Sequence, residues 1–313
     1  MPKPKIASFF SGAGGLDLGF EWAGYEVSYA NDNDPKTTLD TRSLWSVLPE
    51  DVPEVDGIIG GPPCQSWSSA GKERGEKDPR GQLFYPYISI IREKQPKFFV
   101  AENVKGLTFK SHREAFEGFL SQWGEAGYKV YWKLLNAWEY GVPQLRERAI
   151  IVGIRSDLPF EYQFPAPVPM EERKNQRDAI SDIRLALPSP SRAIPSYPLN
   201  NLEYLSSTHF PPYHMTRHKV RPWDEPSLTI VASAVAEPLH PSSRDVYGKE
   251  EYERYRGEYR RMSVRECARI QTFPDSFDFH YARIADGYKM AGNAVPPLLA
   301  FHVAKSLLPL FSH

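Results

Sequence analysis

Three short stretches carry side chains that could do chemistry together. Gly60-Gly61-Pro62-Pro63-Cys64-Gln65 brings a thiol, Glu102-Asn103-Val104 a carboxyl, and Gln144-Leu145-Arg146-Glu147-Arg148 two guanidinium groups. A thiolate is a strong nucleophile. A nearby carboxylic acid can supply a proton, and an arginine can orient or polarise a carbonyl. Each stretch also has a plainer reading. Cys64 could be a small buried hydrophobe, Glu102 an ordinary strand-end ion pair, and Arg146 with Arg148 a solvated pair on a strand.

What separates the two readings is the elements that position these residues. Gly57-Ile58-Ile59 reads as a buried parallel strand, so Cys64 falls on a stiff glycine-proline loop just past its carboxyl end. Lys97 to Ala101 reads as a further strand that delivers Glu102 in the same way. Tyr128 to Leu135 and Arg148 to Ile154 read as a final strand pair, which puts Arg148 at a strand terminus. Open α/β sheets bind their ligands outside the carboxyl ends of the strands, so these side chains could face one pocket.

The opening of the chain agrees. Lys5 to Phe10 reads as strand one, Ser11-Gly12-Ala13-Gly14-Gly15 as a glycine turn, and Leu16 to Trp22 as a helix with Gly24 near its cap. Asp17 occupies the third glycine's place of a dinucleotide fingerprint, and no lysine follows, so a pyrophosphate cradle is disfavoured. A ligand with an adenosine but no phosphate stays open. Val27 to Ala30 reads as strand two and ends at Asn31-Asp32, where a carboxylate can accept hydrogen bonds from ribose hydroxyls. Leu39-Asp40-Thr41 reads as another strand end, Leu83 to Glu93 as a helix, and Ser111 to Ala126 as an amphipathic helix with Ser111 as N-cap.

Past Arg155 the character changes. Prolines are dense from Pro159 to Pro241 and periodicity is weak, which predicts a boundary near residue 160. A short helix is expected over Ser263 to Ile270, and an apolar helix over Leu298 to Leu308 returns the chain to the first domain. The expected domains are thus 1–160 with 284–313, and 161–283.

Composition sets outer limits. The 313 residues are 41% hydrophobic and 25% charged, an ordinary globular balance. No apolar run approaches the roughly 18 residues that span a membrane, and the N-terminus lacks a signal-peptide pattern. Cys64 and Cys267 stand far apart, neither a disulfide framework nor a zinc pattern, which fits a reducing cytoplasmic setting. His209, His214 and His218 lack partner cysteines or clustered acids, so no metal site is expected. Net charge is −1, which by itself argues mildly against nucleic acid, yet Leu205 to Pro222 holds no acid and contains Arg217, Lys219 and Arg221.

Taken in order, the motifs resemble those of the cytosine-C5 DNA methyltransferases. Phe9-Phe10-Ser11-Gly12-Ala13-Gly14-Gly15 resembles the family's cofactor loop, Gly61-Pro62-Pro63-Cys64-Gln65 its nucleophile motif, and Glu102-Asn103-Val104 its acid motif. Gln144-x-Arg146-x-Arg148 resembles its double-arginine motif. Arg261-x-x-x-Arg265-Glu266 and Gly292-Asn293-Ala294-Val295-Pro296 resemble its two late motifs. The resemblance implies a doubly wound, Rossmann-like α/β domain, a smaller irregular target-recognition domain, S-adenosylmethionine as methyl donor, and a cytosine flipped out of double-stranded DNA as acceptor. It implies that Cys64 attacks carbon 6, that protonated Glu102 bonds N3, and that Arg148 holds O2, with Arg146 beside it as a catalytic residue. Phe10, Gly12, Ala13, Gly14, Gly15, Asp32, Asp40, Pro63, Leu83, Asn293 and Val295 become the donor's contacts. Ser68, Arg217, Lys219, Arg221 and Thr229 become the DNA's.

The chain departs from the family in three places, the mildest being Met262-Ser263 in a late motif where the family more often has Leu-Thr. Asn33 stands where an aromatic or apolar residue usually stacks on adenine, and Asp34 to Asp40 is short, which makes the alignment of Asp40 the loosest. The stretch from Arg217 to Pro241 resembles relatives that read short GC-rich palindromes such as GGCC. A monomer acting in a restriction-modification system is the expected unit. An RNA cytosine methyltransferase built from the same motifs and an inactive DNA-binding paralogue are the alternatives. The second of these predicts loss of Cys64, Glu102 or the glycine loop, and all three are present.

Overall fold

The computed structural model describes residues 2–34, 39–63, 81–189, 201–206, 220–233, 238–243, 254, 258 and 260–312. The chain divides into two compact units, Met1–Asn136 with Glu147–Ala166 and Ala300–His313, and Ala137–Arg146 with Pro167–Leu299.

The first unit is built on a six-stranded sheet of β1 (Lys5–Phe9), β2 (Glu26–Asn31), β3 (Gly57–Gly60), β4 (Phe98–Val104), β5 (Tyr128–Asn136) and β6 (Glu147–Arg155). The strand order is β2-β1-β3-β4-β6-β5. Only β6 runs antiparallel to its neighbours. The core strands are apolar on both faces because helices cover both. Ala7, Phe9, Ile58, Phe99 and Ile151 pack with α2 (Phe84–Lys94) and α3 (Arg113–Glu125), where Phe84 stacks on Phe119 at 4.3 Å. On the other face α1 (Gly15–Trp22) brings Phe20 onto Phe98, and Tyr25 donates to the carbonyl of Ala304. This is the doubly wound sheet the sequence implies. The strand order switches sides between β1 and β3, which run parallel, so the crevice outside their carboxyl ends is the expected ligand position.

The second unit contains α4 (Gln176–Ile180), a two-stranded parallel pair of β7 (Leu187–Ser189) and β8 (Glu203–Leu205), α5 (Val264–Ile270) and α6 (Ile284–Asn293). Ser263 caps α5 through a reciprocal box with Glu266, which explains why so short a helix forms. The last helix, α7 (Pro297–Leu307), begins at a proline, whose fixed φ suits a first turn.

Several expectations need correction. The first boundary falls after Ala166 rather than at 160, the return begins at Ala300 rather than 284, and Ala137–Arg146 groups with the second unit. The last two shifts share a cause: α6 packs on α5, and Arg146 is bonded to the carbonyls of Ile230 and Gly292. Asp40 makes a single bridge to Asn31 rather than ending a strand. Ser111 lies in a short turn, Lys110–His112, and α3 starts two residues later with no side-chain cap. Residues 284–311 are long and apolar enough for a membrane span by composition, but half of that stretch is buried, and extended backbone at Ala294 separates α6 from α7.

Candidate active site

Glu102 does not follow β4 but sits inside it, opposite Ile150 of β6, and Arg148 pairs with Val104. The reversal of β6 matters here. Its amino-terminal residues lie at the carboxyl end of β4, so a residue early in β6 reaches the sheet edge where β3 and β4 end. Arg148 Nε donates to Glu102 Oε1 at 2.8 Å, with both side chains only about a tenth exposed. An Arg Nη1 bond to the Glu147 carbonyl at 2.8 Å fixes the guanidinium from behind. At such low exposure the ion pair is little screened by solvent, and charge-assisted bonds of this kind are the stronger ones.

The loop after β3 is held against this pair. Asn103 Nδ2 donates to the Pro62 carbonyl at 3.0 Å. A Cβ on Gly61 would lie 3.1 Å from Glu102 Oε2, so the glycine is what lets the carboxylate close on the loop. Pro63 is half-buried. Cys64 and Ser68 lie outside the described residues, as do Arg217 and Lys219. The structure therefore brings Glu102 and Arg148 together and aims the chain toward them from Gly61 to Pro63.

The glycine loop after β1 is left-handed at three positions, Phe10 (φ 56°), Gly12 (φ 54°) and Gly14 (φ 74°). Phe10 adopts a conformation costly for a residue with a side chain, the kind of strain that collects at functional sites. Its half-buried ring lies 6.1 Å from that of Tyr87. Gly12 N–H donates to Asp32 Oδ2 at 2.8 Å, and Asp34 N–H donates to Asp32 Oδ1 at 2.9 Å. Each oxygen keeps a lone pair for a ligand hydroxyl. Ala13 and Gly15 are buried at the start of α1, and Leu83 packs half-buried against the same aromatic core as Phe10.

Other expected contacts are placed differently. Asp40 accepts from the Tyr29 hydroxyl at 2.7 Å and from Arg42 Nη2 at 2.7 Å, while its other oxygen takes the Arg42 backbone and Nε. Those bonds hold its carboxyl well below the usual range and leave it little capacity for an adenine. Its carbonyl instead accepts Asp32 N–H at 3.1 Å and Asn31 Nδ2 at 2.8 Å, which braces the second strand's end. Asn33 is exposed.

In the second unit, Arg146 is buried and donates to the carbonyls of Ile230, Gly292 and Ala294, each at 2.9 Å. Its guanidinium clasps backbone. Thr229 Oγ1 donates to the Leu145 carbonyl at 2.6 Å, and the partly exposed Arg221 pairs with Glu225 at 2.7 Å. Asn293 is exposed and Val295 buried. Gln144, quoted in the double-arginine motif but given no role, and Gln271, which no motif names, bond each other at 2.7 Å. A buried glutamine has no sequence signature apart from its place in a motif.

The profile of the C-5 cytosine-specific DNA methylases matches residues 4–308. The chain belongs to that family. It is 46% identical to the Type II methyltransferase M.FnuDI of Fusobacterium nucleatum, across 97% of this chain and 94% of that one. It is 44% identical to M.MthTI of Methanothermobacter thermautotrophicus, across 96% of each. Among solved structures, a putative DNA modification methyltransferase from an Escherichia coli prophage superposes with a TM-score of 0.72 at 23% identity, covering 99% of this chain and 100% of that one. That likeness supports the fold. Among the described residues no cluster of three metal-ligating side chains occurs.

Proposed function

We propose that this protein methylates carbon 5 of a cytosine flipped out of a short GC-rich site in double-stranded DNA, using S-adenosylmethionine, in the cytoplasm of a cell with a restriction-modification system. The carrying observation is the 2.8 Å Glu102–Arg148 pair beside the loop that leads to Cys64. N3 and O2 are neighbouring acceptors on one edge of cytosine, and two adjacent side chains that can each donate, a guanidinium and a carboxyl once it carries a proton, suit them.

The glycine loop fits the donor. Its left-handed backbone presents Gly12 at the surface, and Asp32 is oriented for a ribose by two N–H groups. Phe10, Leu83 and Pro63 would line the adenosine. When bound, the donor supplies an electrophilic methyl on a sulfonium. The thiolate of Cys64 would form a bond to C6 as the ring electrons move toward N3, where Glu102, having given up Arg148 to O2 and taken a proton from solvent, would donate that proton. Arg148 holds O2. The C5 carbon, now enamine-like, would take the methyl as the donor's methyl–sulfur bond breaks and the thioether leaves, then lose its proton to a base. The C6–sulfur bond would break, the ring double bond would return, and N3 would hand its proton back to Glu102. Arg146 acts in this scheme by holding its loop in shape, and Asp40 by bracing Asp32. Base extrusion costs a few kcal/mol, which Ser68 and the cationic stretch with Arg217 and Lys219 would help offset.

The test is transfer of labelled methyl to a pool of duplex DNA, with base-resolution mapping of 5-methylcytosine, wild type beside Cys64→Ala. Label confined to one short motif and absent from the variant is expected. Label on RNA alone, or none despite donor binding, would sink the DNA reading.

A further inference from the structure

Behind the glycine loop lies a polar relay that no motif reading absorbs. Asp17, in the first turn of α1, accepts from Ser8 Oγ at 2.5 Å, and Ser11 Oγ donates to Ser8 Oγ at 2.9 Å. Ser8 is fully buried within β1, Ser11 is buried in the loop, and Asp17 is half-buried. The relay therefore ties strand, loop and helix at one point. Ser11 is also the loop's backbone anchor. Its N–H donates to the Asn31 carbonyl at 3.2 Å, and its carbonyl accepts Gly14 N–H at 2.7 Å. The next residue is Gly12, whose N–H holds Asp32.

No cation pairs with Asp17 among the described residues. Its one nearby charge is the like-signed Glu21, and burial pushes its carboxyl up to about 6. A buried carboxylate without a cation is costly, and what offsets that here is hydrogen bonding from Ser8, Ser11 and its own backbone N–H. What the carboxylate does is fix the Ser8 hydroxyl as a donor to Asp17, which leaves the Ser8 oxygen as an acceptor for Ser11. A residue with no acceptor at position 17 would free both hydroxyls to rotate, and Ser11 would lose its side-chain tether.

We infer that Asp17 is a positioning residue for the methyl donor: through Ser8 and Ser11 it sets the glycine loop so that Gly12 N–H and Asp32 are in place before the donor arrives. The inference rests on the donor-site reading above. It assigns Asp17 to binding rather than to the methyl-transfer step, and it requires an acceptor rather than a charge.

The experiment measures equilibrium binding of S-adenosylhomocysteine to the full chain by calorimetry, with KM for the donor and kcat alongside. Asp17→Leu is expected to weaken binding about tenfold or more, with KM rising far more than kcat falls. Ser8→Ala, a smaller change that breaks the same relay, should shift binding in the same direction. Asp17→Asn keeps the acceptor and should stay within about threefold of wild type. Unchanged binding in both Asp17→Leu and Ser8→Ala overturns the inference. So does an Asp17→Asn loss equal to that of Asp17→Leu, which would make the charge the active feature. Wild type that fails to bind overturns the donor-site reading and this inference together, whereas wild type that binds with unaffected variants overturns this inference alone.

Discussion

The two units are held together by different means. In the sheet unit, β3 and β4 pair residue for residue from Gly57–Phe98 to Gly60–Ala101, and apolar side chains fill both faces. In the second unit, buried polar side chains bond to backbone. Arg146 spans three carbonyls, Gln144 Oε1 takes Ile230 N–H, and Gln271 Nε2 reaches Ala291. Arg265 bonds the Phe277 carbonyl and pairs with Asp278. A ladder satisfies backbone groups by repetition. An irregular chain has no ladder, so side chains must meet the same demand one group at a time. The consequence is a difference in tolerance. Apolar packing accepts shape-conserving swaps, whereas a buried guanidinium fork accepts almost none.

The largest test of that difference is a matched pair of conservative changes. Ile58→Leu in β3 should cost less than about 1.5 kcal/mol. Arg146→Lys should cost about 3 kcal/mol or more, because a point charge cannot serve carbonyls of Ile230, Gly292 and Ala294 at once. Hydrogen exchange resolved by peptide would report each loss in its own unit. Equal costs would break the contrast.

The pH response should differ in sign between the units. His240 is buried beside Glu266, and burial pulls its pKa down to about 4. Between 6.5 and about 4 the unfolded chain binds a proton that the folded one does not, so stability from this site is lost as pH falls through that window. Asp17 acts oppositely. Its folded pKa is about 6 against 3.8, so stability falls as pH rises from 3.8 to about 6. Each effect is about 3 kcal/mol at most. Urea midpoints of wild type and Asp17→Asn should therefore separate above pH 6, with the variant more stable, and converge below about 4. The stability advantage of wild type over His240→Gln should shrink from pH 7 to pH 4. A common sign in both variants would refute the assignment.

The smallest effect expected is at the glutamine pair. Gln271→Leu strands the Ala291 carbonyl and Gln144 Nε2, a loss of about 1–3 kcal/mol. Adding Gln144→Leu should cost less than the sum of the single changes, because an apolar pair leaves fewer unmet groups. Full additivity in thermal unfolding would show that the two act separately.

Local pattern made most of the sheet unit legible. Strand runs such as Lys5 to Phe9, the glycine turn and the carboxylate at Asp32 can be read from neighbours a few residues apart, because strand, turn and helix are short-range choices. Glu102 and Arg148 were legible as chemistry but not as a pair, since their contact depends on the reversal of β6 forty-six positions later in the chain. Asp40 illustrates the converse. It was readable only as a further strand end, and its bridge to Asn31 and its partners Tyr29 and Arg42 belong to the folded arrangement and not to a motif.

From sequence, then, come the residue types at each motif, the order of the elements and the class of reaction, because nucleophile, acid and glycine loop are defined by chemistry and spacing. The tertiary structure decided which polar side chains face a ligand and which face their own backbone. Arg146 shares a motif with Arg148, yet its guanidinium bonds three carbonyls of its own chain, and Asp40, read as a donor contact, binds Tyr29 and Arg42. The reason is physical. A side chain's free bonding capacity is what remains after burial has satisfied the backbone around it, and that remainder exists only once the chain is folded.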